Sequence, residues 1–259
     1  FFSESLAKSV AAERGKADAI VANNVVAHVD DLAGLVAGID ALLGPAGVFV
    51  AEFPYLDDFL ARAEFDTAYH EHLSYFTARA AQRMFEGSDL ALFDVRRSAI
   101  HGGSLRIFVG RGRAPTASLT ALLQEERARG FHSAAPFREF ADRVRCQRDE
   151  LTALLDKLAS SGRRIAAYGA AAKGNTLLNY CGLDASRIAY IADRSPLKIG
   201  LYAPGSHIPV KDAAFLAELE DEVRKDLSEA AAHLVLADFT LEQLLAIVPA
   251  DENADPEAA

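Results

Sequence analysis

The fold is decided by residues 17–53, which read ADAIVANNVVAHV at 17–29 and GVFVAEF at 47–53 on either side of a helical pattern. The first apolar run opens like a buried parallel strand, and the second, closed by Pro54, resembles its neighbour. The helix between them has Asp30 or Asp31 as N-cap and Gly44-Pro45 as its stop. Strand, helix and strand predict a βαβ unit. The helical spacing is that of Leu32, Leu35, Val36, Ile39, Leu42 and Leu43.

Polar residues interrupt the first apolar run at the point where its strand should end. These residues are Asn23, Asn24 and His28. Ligands of α/β proteins bind beyond the carboxyl ends of parallel strands. The three side chains are therefore candidates for a binding site.

Residues 65–76 read FDTAYHEHLSYF and lie in a loop, residues 55–76, that should follow the second strand. Tyr69, His70, Glu71 and His72 are consecutive. Imidazole, with a free pKa of about 6.5, suits proton abstraction near neutral pH. A tyrosine hydroxyl or a second imidazole can donate a hydrogen bond to negative charge as it develops. The cluster indicates acid–base chemistry.

Two other interpretations of the cluster stay open. His70 and His72 would point to one face of an extended segment and could share a metal ion. The spacing HExxH is absent, however, and no third ligand is evident nearby. Alternatively, the imidazoles are structural groups held by hydrogen bonds in the interior.

The residues after the cluster predict a helix capped by Thr77 and then a pair of strands. Leu90–Arg97 and Ser104–Gly110 have the composition of antiparallel neighbours. Gly102-Gly103 stands close to their turn. The double glycine fits either a tight bend or a close approach of the backbone to a ligand.

A second α/β pattern follows in the C-terminal half. Ile165–Tyr168 is a predicted strand, and Gly169-Ala170-Ala171-Ala172-Lys173-Gly174 leads into a helix from about Asn175. Ile188–Ala192 is the next strand and ends at Asp193. In this Rossmann-type order, amides at the helix N-terminus face an anion. The alternative is an ordinary α/β turn with a solvated lysine.

The chain therefore reads as two α/β domains with a helical connection, which Gly130 and Pro136 break into at least two helices. Near the end, Leu234–Ala237 predicts a buried strand and Thr240 the cap of a last helix. The tail is acidic and is expected to be disordered. The predicted divisions are 1–114 for the first domain, 115–160 for the connection, 161–249 for the Rossmann-like domain and 250–259 for the tail.

Composition excludes several classes of protein. With 37 acidic and 27 basic residues the net charge is −10, which argues against a nucleic-acid-binding face. Neither a membrane span nor a signal peptide is visible. Cys146 and Cys181 fit neither a disulfide framework nor a zinc cluster, so we expect a cytoplasmic protein. The opening Phe1-Phe2 without an initiator methionine suggests that an N-terminal part is missing.

Five blocks in a fixed order resemble one family: Asn24 with His28, Glu52–Tyr55, Tyr69–Tyr75, Gly102–Arg106 and Tyr168–Gly174. The chain is similar, up to about residue 249, to the S-adenosylmethionine-dependent sugar C-methyltransferases that methylate C-3 of dTDP-linked 4-keto-deoxysugars. The resemblance implies an α/β fold, with the C-terminal part of a class I methyltransferase domain followed by a second, Rossmann-like domain. It places zinc, a glycine-rich cofactor loop and an acidic ribose-binding residue ahead of residue 1. We therefore expect this chain to bind the cofactor poorly or not at all.

The resemblance also implies roles for individual residues. His72 is expected to be the base, Tyr69 the donor to the enolate oxygen, Glu71 the residue that orients the imidazoles, and His28 a further member of the pocket. Neither a metal ligand nor a binding partner beyond the dTDP-sugar is implied, and we expect a monomer. Expected cofactor contacts are Asn23, Asn24 and Glu52; expected substrate contacts are Gly103, Ser104, Arg106, Gly169, Ala170, Lys173, Asp193, Lys198 and His207.

Two rival functions remain compatible with the sequence. An oxidoreductase could use the turn Gly169–Gly174 for NAD, but it leaves the cluster around His72 unexplained. A non-catalytic nucleotide-sugar-binding module would need only the second domain.

Overall fold

The computed structural model describes residues 2–218 and 245–248. The described chain divides into two compact units. The first takes residues 2–64 and 70–141, and the second takes residues 65–69, 142–218 and 245–248. The division at residue 141 falls inside a long helix, within the segment predicted to connect two domains.

Helices and strands alternate at the start of the first unit and give way to helices at its end. Asp31 caps the second helix by accepting from the amide of Gly34, and Thr77 caps the fourth by accepting from Ala80, so both predicted caps are confirmed. The elements are α1 (Glu4–Arg14), β1 (Ala17–Asn23), α2 (Leu32–Leu42), β2 (Leu43–Pro54), α3 (Leu56–Arg62), α4 (Ala78–Met84), β3 (Ala91–Ser98), β4 (Ser104–Gly110), α5 (Ala117–Ala128) and α6 (Ala135–Ser160).

The first unit is built on a four-stranded mixed sheet in the order β1-β2-β4-β3. Strands β1 and β2 are parallel, as the βαβ prediction requires, and β4 is antiparallel to both β2 and β3. The mixed α/β character predicted from the sequence is confirmed. The largest fully buried side chains of the sheet are Phe49, Phe53, Leu43, Leu105 and Ile107.

Strand β2 starts earlier than its apolar run suggests. The residues Gly44-Pro45, predicted as a helix stop, lie within the strand, and α2 ends at Leu42. A Cβ on Gly47 would lie 2.8 Å from the carbonyl oxygen of Ala17. Glycine therefore permits the close approach of β1 and β2 at this point.

The predicted loop 55–76 is wrong in its first half, because α3 and a 3-10 helix at Phe65–Thr67 occupy it. The double glycine is explained within the fold. Gly102 and Gly103 have φ of 80° and 121°, and a Cβ on either would collide with Glu64 or Asp58. Pro136 is no helix break, since it lies in the first turn of α6, where proline is tolerated.

The second unit is a smaller sheet in the order β7-β6-β5-β8. Strands β5, β6 and β7 are parallel, whereas β8 runs antiparallel to β5. Helix α7 follows β5 and begins at Ala172, three residues before the predicted start. The elements are β5 (Arg164–Tyr168), α7 (Ala172–Tyr180), β6 (Ile191–Asp193), β7 (Val210–Asp212) and β8 (Leu245–Val248).

Three predictions near the C-terminus, the strand Leu234–Ala237, the cap Thr240 and the acidic tail, lie outside the described residues. The predicted last helix is wrong for Leu245–Val248, because these residues pair with β5 as a strand. Among the described helices, none combines the length and apolar character needed to cross a membrane. Cys146 is exposed and Cys181 is buried, and both are free thiols.

Candidate active site

The carboxyl ends of β1 and β2 carry three of the predicted binding residues. Asn23 pairs in register with Glu52, and the amide of Asn24 donates to the carbonyl oxygen of Glu52 at 2.8 Å. Asn24 has a φ of 53°, a left-handed conformation that asparagine tolerates better than most residues. Both asparagine side chains are exposed. This edge of the sheet therefore exposes two side-chain amides to solvent.

Glu52 forms an ion pair that the sequence did not predict. Its side chain is 6% exposed, and its Oε2 accepts from Nε of Arg106 at 2.9 Å and lies 2.7 Å from Nη2. The two residues are cross-strand neighbours on β2 and β4. A buried carboxylate requires such a partner. Glu52 and Arg106, expected to contact different ligands, thus hold one another.

The predicted substrate residues beside the double glycine are used inside the fold. Ser104 is fully buried, and its hydroxyl donates to the carbonyl oxygen of Ile100 at 2.9 Å. The carbonyl oxygen of Gly103 accepts from the amide of Tyr55 at 3.0 Å. These contacts close the turn before β4 and give both residues a structural role.

His28 and His72 come together from different parts of the chain. Their ring centroids are 5.0 Å apart and the rings are nearly perpendicular, at 87°. The backbone explains the approach, since the amides of Leu73 and Ser74 both donate to the carbonyl oxygen of Ala27, at 2.9 and 3.2 Å. His28 is exposed and His72 is half-buried, so His72 lies at the surface of the unit rather than in its core.

The other members of the histidine cluster are placed differently. Tyr69 belongs to the second unit, whereas His70, Glu71 and His72 belong to the first. The Glu71 carboxylate lies 3.9 Å from Nε2 of His70, and both side chains are exposed. Within the described residues, no set of three or more histidine, cysteine or acidic side chains could hold a metal ion.

In the second unit, Asp193 organises the turn after β5. Its two carboxylate oxygens accept from the amides of Ala170 and Ser195, both at 2.7 Å. The ammonium of Lys198 bridges Asp193 and the carbonyl oxygen of Ala170, at 3.2 and 2.8 Å. Asp193, Lys198 and Ala170, all predicted substrate contacts, therefore shape the turn itself.

The start of α7 has no side-chain cap. Its N-cap residue, Ala171, has no side chain to accept from the first helical amides. Gly169 turns the chain with a φ of 87°, and Lys173 is exposed in the first turn. His207 is exposed in a separate turn, with a φ of 55°. Free amides and an ammonium at one helix end suit an anion.

Burial acts to raise the pKa of Asp193, but the amides of Ser195 and Ala170 and the Lys198 ammonium outweigh it and hold the pKa below its usual range. A lowered pKa stabilises the fold at pH values above that of the unfolded carboxyl, about 3.9. This stabilisation disappears as the pH falls through the lower pKa of the folded state.

Asp193→Asn should lower the free energy of unfolding by about 1–3 kcal/mol at pH 7, because one amide or ammonium loses its acceptor. The difference from the wild-type protein should shrink below about pH 4. Urea denaturation at pH 7 and at a pH below about 4 measures this difference in the free energy of unfolding. Asp156→Asn, which removes an exposed carboxylate paired with Arg187, is the matched control and should have little effect. An equal loss of stability at the two pH values would contradict the assignment.

The sequence did not reveal a buried carboxylate network in the first unit. Glu126 is 3% exposed and accepts from the Tyr55 hydroxyl at 2.9 Å. Burial and the neighbouring Glu126 raise the pKa of Tyr55 above its usual range. Asp57, 6% exposed, is paired with Arg129 at 2.9 Å. Acidic side chains are seldom fully buried, so buried acids stand out once a structure is known. The sequence alone does not show which acids are buried, and it therefore gave no signal for these residues.

The chain is similar to methyltransferases along most of its length. Residues 2–95 match the family model of a methyltransferase domain, and residues 99–225 match that of a C-methyltransferase C-terminal domain. The chain is 35% identical over 212 residues to the C-methyltransferase NovU of Streptomyces niveus. That similarity covers 81% of this chain and 50% of NovU, so the chain spans about half the length of this relative.

Proposed function

We propose, for a chain that belongs to the C-methyltransferase family, that it contributes the base and the substrate-binding parts of an S-adenosylmethionine-dependent enzyme. The substrate would be a dTDP-linked 4-keto-deoxysugar, methylated at C-3. The pairing of His28 with His72 beside the carboxyl ends of β1 and β2 carries the proposal. Two imidazoles at the ligand-binding edge of an α/β sheet suit a reaction that begins with loss of a proton.

The ketone at C-4 acidifies the hydrogen on C-3, so a positioned base can convert the sugar to its enolate. His72 is suited to this step because it is half-buried, reachable, and held through the backbone of the next two residues. A base fixed in this way loses little orientational freedom when the substrate arrives. General base catalysis typically contributes about 10²–10⁴-fold.

His28 supports His72 through its position. Its ring stands edge-to-face against the ring of His72, and the centroid of the Tyr75 ring lies 6.3 Å from that of His72. These two neighbouring rings limit the rotamers that His72 can adopt. Tyr69, three positions before His72, would donate its hydroxyl to the enolate oxygen.

The residues at the end of β1 fit a polar cofactor. Asn23 and Asn24 present exposed side-chain amides where α/β proteins bind ligands, and they would hold S-adenosylmethionine. Glu52 would affect the cofactor site indirectly, by holding this edge of the sheet in shape, because Arg106 already neutralises its carboxylate. When bound, the cofactor supplies an electrophilic methyl group.

The turn Gly169–Gly174 in the second unit would bind the diphosphate of the substrate. The uncapped amides of α7 and the Lys173 ammonium are the donors, while Asp193 and Lys198 keep the turn in shape. The family model that spans residues 99–225 describes a domain of C-methyltransferases. It supports a substrate-binding turn over a site for NAD.

Hydrogen exchange at C-3 tests the proposed first step directly. An enzyme that contains this chain, incubated in deuterium oxide with a dTDP-4-keto-6-deoxyhexose and no cofactor, should place deuterium at C-3. Mass spectrometry and proton NMR would detect it. Addition of S-adenosylmethionine should then give a C-3-methylated product. Methyl transfer to an oxygen or nitrogen of the sugar, without exchange at C-3, would refute the proposal.

A further inference from the structure

A row of aromatic rings leads from α6 to the proposed base. The ring of Phe59, in α3, lies 5.0 Å from that of Phe140, in α6, and 4.9 Å from that of Tyr75. The Tyr75 ring is in turn 6.3 Å from the ring of His72 and nearly perpendicular to it, at 88°. All three distances between ring centroids lie in the range in which aromatic rings attract one another. Four rings of the first unit therefore form one continuous row.

Phe59 is buried without belonging to the main core of its unit. It is 9% exposed. Among the described residues, the large hydrophobic cluster of the first unit includes Phe53 and Phe76 but does not include Phe59. The ring contacts of Phe59 are with Tyr75 and Phe140. Packing of the sheet therefore does not account for an aromatic side chain at this position, and the row of rings does.

The backbone ties α3 to the segment that carries Tyr75. The amide of Leu56, the first residue of the helix, donates to the carbonyl oxygen of Phe76 at 3.0 Å. The ion pair of Asp57 with an arginine, at 2.9 Å, further holds the first turn of α3. A helix of seven residues depends on such contacts to keep its place. Phe59 therefore stands on an anchored element, and its ring gives Tyr75 a fixed surface to pack against.

We propose that Phe59 is a positioning residue for the abstraction of the proton, and that it acts through Tyr75 on the orientation of the His72 imidazole. This inference rests on the proposed function, in which His72 is the base. Phe59 has no group that could accept or donate a proton. Its ring limits the positions open to the ring of Tyr75, which in turn limits the rotamers of His72. Misplacement of a reacting group by about 1 Å can cost about 10²-fold in rate.

Exchange of the C-3 hydrogen, measured without cofactor in an enzyme that contains this chain, tests the inference. Phe59→Leu keeps an apolar side chain but removes the flat ring, and it should slow exchange at saturating substrate by about tenfold while KM stays within about twofold. Tyr75→Leu should slow exchange at least as much. The double variant should be no slower than Tyr75→Leu alone, because Phe59 acts through Tyr75. Phe59→Tyr keeps the ring and should keep the wild-type rate.

Phe85→Leu makes the same substitution in the main core and serves as the control. Phe85 is 2% exposed, and its ring lies 6.2 Å from that of Phe49. This variant should lower the melting temperature of the chain, because a buried side chain is shortened. Its rate of exchange per folded molecule should stay at the wild-type value. Loss of stability alone is thereby separated from loss of orientation.

Proton NMR of this chain gives a second measurement that needs no substrate. An aromatic ring shifts the signals of the protons beside it, so the imidazole signals of His72 report on its neighbouring rings. The His72→Asn variant identifies these signals by their loss. In Phe59→Leu they should move toward the positions of a free histidine, whereas in Phe85→Leu they should stay in place. Unmoved signals in Phe59→Leu would contradict the inference.

The outcomes separate this inference from the function beneath it. If His72→Asn slows exchange but Phe59→Leu does not, or does so only in proportion to an unfolded fraction, the role of Phe59 is refuted and His72 remains the base. If the effects of Phe59→Leu and Tyr75→Leu multiply in the double variant, Phe59 does not act through Tyr75 and the inference fails. If exchange in His72→Asn is as fast as in the wild-type enzyme, both proposals fail.

Discussion

His72→Asn in an enzyme that contains this chain is expected to slow methyl transfer by about 10²–10⁴-fold, the usual contribution of a general base and the role proposed for His72. Asparagine keeps a polar side chain of similar reach but cannot take up a proton from carbon. Exchange of the C-3 hydrogen with solvent should fall by the same factor, because both processes share the proton-abstraction step in the proposed mechanism. Rates of methyl transfer and of deuterium incorporation, measured on the same preparation, give the two numbers.

His70→Asn is the matched control for this prediction. His70 is exposed and lies 3.9 Å from Glu71, two positions away from the proposed base. Its replacement should leave the rate close to that of the wild-type enzyme. Since His72 is only half-buried, its own variant should fold normally, and a thermal melt checks this. Wild-type exchange in His72→Asn would remove His72 from the mechanism.

Glu126→Gln should lower the free energy of unfolding by about 2–4 kcal/mol, the largest effect on stability that we expect. One carboxylate oxygen accepts from the Tyr55 hydroxyl and the amide of Ala78, and the other accepts from the amide of Arg79. A glutamine has one acceptor oxygen, and its NH2 group would face a buried donor. The first turn of α4 and the tyrosine would compete for what remains.

Urea denaturation of this chain measures the loss caused by Glu126→Gln. The neighbouring Glu125 is exposed on the same helix, so Glu125→Gln makes the same chemical change outside the network. That control should stay within about 0.5 kcal/mol of the wild-type protein. Equal effects of the two substitutions would show that the network around Glu126 contributes nothing to stability.

Elements set by neighbouring residues could be predicted from the sequence. Asp31 and Thr77 each accept from an amide three positions later, a contact that is local in the chain. The parallel pairing of β1 with β2 likewise followed from two apolar runs and the helix between them. In these cases propensity and hydrophobic spacing point to the same structure.

Elements that depend on distant residues could not be predicted. Helix α3 is seven residues long and follows Pro54, but Phe59 packs against the rings of Tyr75 and Phe140, at 4.9 and 5.0 Å. Strand β8 exists through its pairing with β5. A short segment that gains most of its stability from tertiary contacts has no periodic signal of its own.

The candidate site shows the same division. The residue types around His72 indicated acid–base chemistry, because so many titratable groups in one short stretch are unusual. The structure added which of the predicted site residues contact one another. His28 meets His72, and Glu52 is paired with Arg106. Phe65 stood in the same stretch, and only the structure placed its ring against that of Tyr180 at the end of α7. The roles assigned to these residues remain predictions.

The excursion of Phe65–Tyr69 into the second unit limits how this protein can be taken apart. A single cleavage within α6 would leave those five residues on the N-terminal fragment and Tyr180 on the other. Recombination between relatives at that junction would likewise import a foreign partner for Phe65. The N-terminal and C-terminal halves therefore cannot be exchanged independently between relatives. A chimaera that keeps the contact between Phe65 and Tyr180 must transfer Phe65–Tyr69 together with α7.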